Sequence, residues 1–325
     1  MEKQAIMEVK NLKKYFPVQS SLRKQPAAVK AVDDVSLTIY KGETLSLVGE
    51  SGCGKSTTGK CLCGLIPATS GEVRFMNQDI TKLKGKDKKA MTKNIQMIFQ
   101  DPYSSLNPRK KVGSIIEESL TIHNIGASRQ ERMDMAMKIF LKVGMREDQY
   151  FRYPHEFSGG QKQRIGIARA LILNPELIVC DEPVSALDVS IQSQILNLLS
   201  EMKKERNITY LFISHNMSVV RYISDRVGVM YLGHLVELAP TEELYTNPLH
   251  PYTKALLSAV PEINPHIKKN KIKLTGEIPS PLNPPSGCVF HNRCPNATSY
   301  CGDAIPVLKE VSPGHFVSCF RYDEY

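Results

Sequence analysis

Nine consecutive residues could hold a string of phosphates: Gly49-Glu50-Ser51-Gly52-Cys53-Gly54-Lys55-Ser56-Thr57. They match G-x-x-x-x-G-K-[ST], in which glycines let backbone N–H groups turn inward around an anion without a Cβ clash. Lys55 would reach the β- and γ-phosphates, and the Ser56 hydroxyl would bind Mg²⁺. The helix opened by Lys55, Ser56 and Thr57 points its free N–H groups at the same anion. A second element is the apolar run Leu177-Ile178-Val179-Cys180, which ends in Asp181-Glu182. A carboxylate there can face the metal through water, and the next one can polarise an attacking water as general base. A third is Ser158-Gly159-Gly160-Gln161, opening a helix. Its plain reading is a helix cap, and its chemical reading is a second anion site.

These groups need elements to position them. Apolar alternation predicts half-buried strands at 7–12 and 35–39. A strand at 44–48 runs into the glycine loop, a helix at 55–62 follows, and further strands fall at 72–76 and 95–99. Residues 20–28 read as a loop insertion. Helical spacing begins at 112, with helices at 112–121, 128–143 and 160–173. Ser128 and Glu131 form a capping box for the second. Strand and helix then alternate at 177–180, 190–206, 209–214, 217–224 and 227–231, the mark of a parallel sheet with helices packed on it. Beyond Ala239 that alternation stops and prolines become dense. An irregular tail is expected there, with a helix near 252–260.

The 325 residues leave room for a large domain and an accessory one. No apolar stretch approaches the ~18–20 residues that cross a bilayer. The first residues carry no apolar signal core, so a cytosolic chain is expected. The formal charge of +9 reads as a solvated basic surface. The lysine clusters at 82–93 and 268–273 lack interleaved aromatics, and no helix-turn-helix or zinc-finger spacing occurs, so nucleic acid is not an expected partner. Cys53, Cys61, Cys63 and Cys180 fall inside apparent core elements. Cys288, Cys294, Cys301 and Cys319 crowd the tail, and in a reducing compartment such a group suggests a metal or cluster.

The motifs, in this order, resemble those of an ABC ATPase over about residues 5–240. The resemblance implies an α/β fold: a P-loop NTPase (RecA-like) core with an antiparallel β subdomain, an α-helical subdomain at about 101–172, and a small C-terminal Cys-containing accessory region at 241–325. It implies that Gln100 is the lid glutamine sensing Mg²⁺ and water. Ser158, Gly159, Gly160 and Gln161 are then the signature, Ser185–Asp188 the loop crossing a dimer interface, and His215 the switch histidine on the γ-phosphate. Tyr15, with Phe16 beside it, sits where the family stacks an aromatic on adenine. Lys55, Gln100, Glu182 and His215 become the catalytic set; Ser56, Gln100 and Asp181 hold Mg²⁺. Gly49, Ser51, Gly52, Cys53, Gly54 and Thr57 cradle ATP. The ATP is sandwiched between the glycine loop of one subunit and the signature and Asp188 of another. Taken singly, Gln100, His215 and Tyr15 are ordinary surface or packing residues; their joint order gives them these roles.

Three segments narrow the family: Gln100–Arg109, Asn247–Thr253, and the cysteine tail. They look like the second, F-type ATPase of dipeptide/oligopeptide importers. That implies a companion ATPase subunit, two membrane permeases, a peptide-binding protein outside the membrane, and a place on the cytoplasmic membrane face. A permease coupling helix would meet a groove lined by Gln100–Arg109. The tail cysteines have gaps of five, six and 17 residues. These fit neither the usual structural zinc pairs nor common ferredoxin spacings. The resemblance suggests a [4Fe-4S] cluster, with zinc second and unliganded thiols third. The rival reading is a non-transport ABC ATPase serving a soluble complex such as carbon–phosphorus lyase.

Overall fold

The computed structural model describes residues 4–18, 27–260 and 271–323. Most of the expected 20–28 insertion, and residues 268–270 of the second lysine cluster, lie outside them. The chain divides into two compact units.

One unit comprises residues 40–43 and 82–213, together with residue 4. Its strands Ile95–Ile98, Leu177–Asp181 and Thr209–Ile213 are parallel neighbours. Every residue of the last two is buried, as expected of strands covered on both faces. The helical block is also here: Val112–Ile122, Arg129–Lys142 and Gly159–Leu171, followed after the Asp181 strand by Val189–Arg206. The Ser128 cap forms, its Oγ accepting the Glu131 N–H at 3.1 Å. Glu131 reaches back to the N–H of Ala127 rather than that of Ser128. Gly113 has no Cβ because Tyr150 lies where one would go, 2.1 Å away. The 82–93 lysines are exposed to solvent. They lie mostly on a helix, Gly85–Asn94, whose charge hid its periodicity.

The other unit comprises residues 5–39, 44–81 and 214–323. Strands Ala5–Val18, Ala27–Tyr40, Ser70–Phe75 and Gln78–Asp79 make the expected β subdomain, with antiparallel pairing from Ala5–Val18 through Ser70–Phe75 to Gln78–Asp79. Thr44–Val48 runs parallel to Arg226–Tyr231. That strand turns at Gly233 into the antiparallel strand His234–Pro240. Sequence patterning predicts no strand at 234–240. The tail returns to it: His315–Val317 pairs with Glu237 and Leu238, and Lys309–Ser312 pairs with His315–Val317. The tail is therefore stitched to this sheet, and residues 241–323 belong to the same compact unit as the glycine loop.

A buried carboxylate fastens the stitch. Glu237, fully buried, accepts the N–H of Leu249 at 2.7 Å, the N–H of His250 at 2.9 Å, and a hydrogen bond with His315 Nε2 at 2.8 Å. His250 caps the helix Pro251–Ser258, its Nδ1 accepting the Tyr252 N–H at 3.1 Å. That nitrogen must carry no proton, and burial pushes the imidazole down to about 4. The unfolded chain protonates His250 below about pH 6.5. Its stabilising contribution is therefore whole above that pH and is lost as pH falls from 6.5 toward 4, by up to ~3 kcal/mol. We expect the thermal midpoint to hold between pH 8 and 7 and to drop below pH 6. His250→Asn keeps an acceptor but cannot titrate. It should lower the midpoint at pH 7 and flatten the acid decline; a decline as steep as that of the unaltered chain would contradict this assignment.

Candidate functional site

The glycine loop is held from outside, so its N–H groups have little choice of direction. Gly49 has φ +146°, and a Cβ there would lie 2.1 Å from the Met230 carbonyl. Gly54 has φ +105°, and a Cβ would lie 2.2 Å from the Ala31 carbonyl. The loop's own carbonyls are occupied. Lys55 Nζ donates to Gly49 O at 2.8 Å and Glu50 O at 3.0 Å, and the Gly233 N–H donates to Cys53 O at 3.0 Å. Lys55 also lies 3.5 Å from Cys53 Sγ, whose thiol burial pushes up. Gly54 is the left-handed residue just before the helix Lys55–Leu62, so that helix end opens directly from the loop. Ser51 and Gly52 are exposed, and Ser56 and Thr57 are half-buried.

His215 belongs to the same unit. The Ser214 N–H donates to Leu47 O at 3.2 Å, two residues before Gly49, and the Ser214 hydroxyl accepts the Asn216 N–H. His215 is thus fixed beside the strand that feeds the loop. Tyr15, also in this unit, donates its hydroxyl to Asp33 at 2.5 Å, and the Lys30 ammonium lies 5.6 Å from its ring centre. Burial and that carboxylate raise the phenol's pKa. Phe16 is the more exposed of the two rings.

In the other unit, parallel register pairs Ile98 with Cys180. Two residues further on, Gln100 Nε2 donates to Glu182 Oε2 at 2.9 Å. Glu182 sits at φ +45°, a conformation most residues avoid, and its N–H donates to Ile213 O at 3.0 Å. Asp181, just before it, is buried. Gln100 and Glu182 therefore meet at adjoining strand ends, with Asp181 next to Glu182 in the chain. Ser158 and Gln161 close a capping box: Gln161 Oε1 accepts the Ser158 N–H at 3.0 Å, and Ser158 Oγ accepts the Gln161 N–H at 3.4 Å. The turn packs on the Ser185–Asp188 loop and the helix after it. A Cβ on Gly159 would touch Leu187 at 3.6 Å, and one on Gly160 would strike Ile191 at 2.6 Å. Asp188 is exposed at the start of Val189–Arg206. In the Gln100–Arg109 segment Leu106 is buried, Tyr103 is exposed with Lys162 Nζ 3.8 Å from its ring centre, and Arg169 donates to Ser105 O at 2.5 Å.

The tail thiols of Cys288, Cys294, Cys301 and Cys319 are free and half-buried. Gly287, at φ +63°, lets the first cysteine segment approach the third, and the Cys288 N–H donates to Cys301 O at 2.8 Å. Burial pushes the Cys288 thiol up to about 11, with the other three thiols adding to the shift. Cys294 and Cys319 are raised for the same leading reason. Among the described residues, however, no group of three or more His, Cys, Asp or Glu side chains is gathered so as to hold a metal ion. The thiols share a neighbourhood without forming a ready ligand set. No helix among the described residues is long and apolar enough to cross a membrane.

Residues the sequence reading gave no part also touch the loop. Tyr252 accepts the Glu50 N–H on its hydroxyl at 2.8 Å, and Arg293 forks onto the Glu50 carboxylate at 2.8 and 3.3 Å. Tyr252 lies in the distinctive 247–253 segment and Arg293 between the first two tail cysteines, but neither spacing pointed at the loop.

A family model described as ABC transporter matches residues 32–185, and one described as the C-terminal region of oligopeptide/dipeptide transporters matches 236–301. The chain is 56% identical to the oligopeptide transport ATP-binding protein AppF of Bacillus subtilis over 98% of each. It is 52% identical to OppF of Salmonella typhimurium, over 99% of this chain and 98% of the relative. It is 49% identical to the dipeptide transport ATP-binding protein DppF of Haemophilus influenzae, over the same shares. Among solved structures, the dimeric ATP-binding cassette MJ0796 bound to ADP and Pi matches with TM-score 0.64 and 29% identity, over 72% of this chain and 98% of that one.

The two loop glycines separate space from conformation. Gly49→Ala should destabilise the fold by more than ~3 kcal/mol, because the Cβ meets backbone. Gly52, also at positive φ but with open space around it, should lose only ~1 kcal/mol on the same change. Denaturant unfolding of the two variants checks this; equal losses would contradict it.

Proposed function

Since the chain belongs to the ATP-binding subunits of ABC transporters, in the oligopeptide/dipeptide branch, we propose that it hydrolyses ATP to drive peptide import through a membrane permease pair. The observation carrying the cargo class is end-to-end likeness: cassette and tail together align with AppF, OppF and DppF. That likeness also disfavours service to a soluble complex such as carbon–phosphorus lyase. In the family these names imply, the ATPase sits on the cytoplasmic membrane face with a companion ATPase, two permeases and an external peptide-binding protein, and no nucleic acid.

The roles proposed for the residues follow their chemistry. The backbone of Gly49–Thr57 cradles the phosphates, and Lys55, now turned onto the loop's own carbonyls, would exchange those partners for phosphate oxygens. Ser56, Gln100 and Asp181 would hold a Mg²⁺, whose charge would offset that of the phosphates. Glu182 accepts the proton of the attacking water, and its hydrogen bond from Gln100 supports that role by fixing the carboxylate. His215 contacts the γ-phosphate, and an aromatic at Tyr15, or Phe16 beside it, stacks on adenine. Ser158–Gln161 and Asp188 complete the site of a second cassette rather than their own. The dimeric, ADP-bound state of the MJ0796 cassette is consistent with this. Residues 1–240 are the proposed cassette and 241–325 the proposed accessory region, whose strand His315–Val317 pairs with His234–Pro240.

The four tail cysteines remain the proposed ligands of a [4Fe-4S] cluster, with zinc second. Their number and shared neighbourhood support this; their spacing in the structure does not yet make a ligand cage. No step of ATP hydrolysis depends on it. Protein purified anaerobically should carry about four iron and four sulfide per chain, or one zinc. Neither metal would leave four packing thiols.

Glu182→Gln should bind ATP but lose turnover by at least about 100-fold in the assembled importer; brisk hydrolysis would remove Glu182 as base. Ser158→Arg should leave ATP binding to its own loop intact while impairing hydrolysis at the partner site. Lost binding in its own loop would overturn the shared site.

A further inference from the structure

Glu50 occupies one of the unspecified x positions of the phosphate loop, yet all three of its polar groups are engaged. Its carbonyl accepts from Lys55, its N–H donates to the Tyr252 hydroxyl, and its carboxylate takes both arms of the Arg293 fork. Arg293 is 8% exposed and its Nη1 also lies 3.3 Å from the Tyr231 hydroxyl. The guanidinium carbon lies 5.8 Å from the Tyr231 ring centre, and Tyr231 packs edge to face on Tyr252 and on Phe290, with centroids 4.8 and 5.1 Å apart. A planar fork on a carboxylate, backed by an aromatic ring, fixes direction as well as distance. None of this chemistry reaches a phosphate itself. It acts on the one loop residue that leads from the strand into the turn.

From this geometry we infer that Arg293 and Tyr252 are positioning residues for the phosphate loop: the region after the cassette holds Glu50, and so keeps the loop shaped for ATP before ATP arrives. This rests on the ATPase reading above. Preorganisation of this kind lowers the cost of binding rather than the chemical barrier. Its loss should therefore appear mainly in nucleotide affinity. It also gives the cysteine segment a route to the ATP site, since Arg293 lies on the short turn His291–Arg293 between Cys288 and Cys294.

The test is a double-mutant cycle in the assembled importer, with steady-state Mg–ATP hydrolysis and binding of a fluorescent ATP analogue to the full-length chain. Arg293→Ala and Glu50→Gln should each raise KM and Kd for ATP roughly tenfold (~1.4 kcal/mol), with kcat changed much less. Together they should be little worse than either alone, because they remove one interaction. Tyr252→Phe should raise Kd about threefold while its ring packing is kept. Far-UV circular dichroism confirms folding. If Arg293→Ala does not fold, Glu50→Gln and Tyr252→Phe carry the test, since neither empties the aromatic cluster. An original chain that binds no ATP refutes the ATPase reading. An original chain that binds ATP, with variants of unchanged Kd or with fully additive losses, refutes this inference alone.

Discussion

A loop that presents its N–H groups to an anion must spare most of them from pairing within itself, and the packing around Gly49–Gly54 answers that constraint, although the Cys53 N–H does donate to Glu50 O at 3.3 Å. A free turn would relax by pairing its amides with its own carbonyls. Here the carbonyls of Gly49, Glu50 and Cys53 are already taken by Lys55 and by the Gly233 N–H. The backbones of Ala31 and Met230 press against Gly49 and Gly54 so closely that only glycine fits. The loop's shape is therefore enforced by strands far away in sequence. That is why the β subdomain and the Arg226–Pro240 hairpin are needed for a nine-residue motif to work.

The carboxylate proposed as general base is placed by a different device. Glu182 follows a fully buried parallel strand and turns into the left-handed region one residue after Asp181. Consecutive strand residues point to opposite faces. The turn breaks that alternation and allows Gln100, from the neighbouring strand's end, to reach the glutamate. Register does the rest. With Ile98 opposite Cys180, the two polar residues fall side by side without any loop having to search for them.

Much of this was legible in the sequence. The glycine loop, the Asp181 strand and the Ser158 turn were readable because each is a local pattern with a local physical cause: positive φ, a buried apolar run, a capping box. Four features were not. The Gly85–Asn94 helix is so rich in lysine that its apolar signal reduces to Met91. The His234–Pro240 strand is buried along its length and lacks alternation, and its neighbour His315–Val317 lies more than 70 residues away. Glu237 reads as a surface charge, and only the partners His250 and His315 make its burial tolerable. The grip of Arg293 on Glu50 spans 243 residues and leaves no periodicity to find.

The tail shows how an irregular segment becomes part of a rigid site. It has little helix, many prolines and only the short strands Lys309–Ser312 and His315–Val317, the second of which pairs with His234–Pro240. Beyond that pairing it is fixed by two carboxylates: the fully buried Glu237 on one side, through two backbone N–H groups and His315, and the half-buried Glu50 on the other, through Arg293. Both acids come from the cassette portion of the sequence, and both bases come from the tail. A buried charge without its partner costs several kcal/mol, so neither half tolerates the other's displacement. The tail is consequently not a passive extension: whatever shifts it must loosen the carboxylate that shapes the phosphate loop, and whatever tightens the loop must hold the tail.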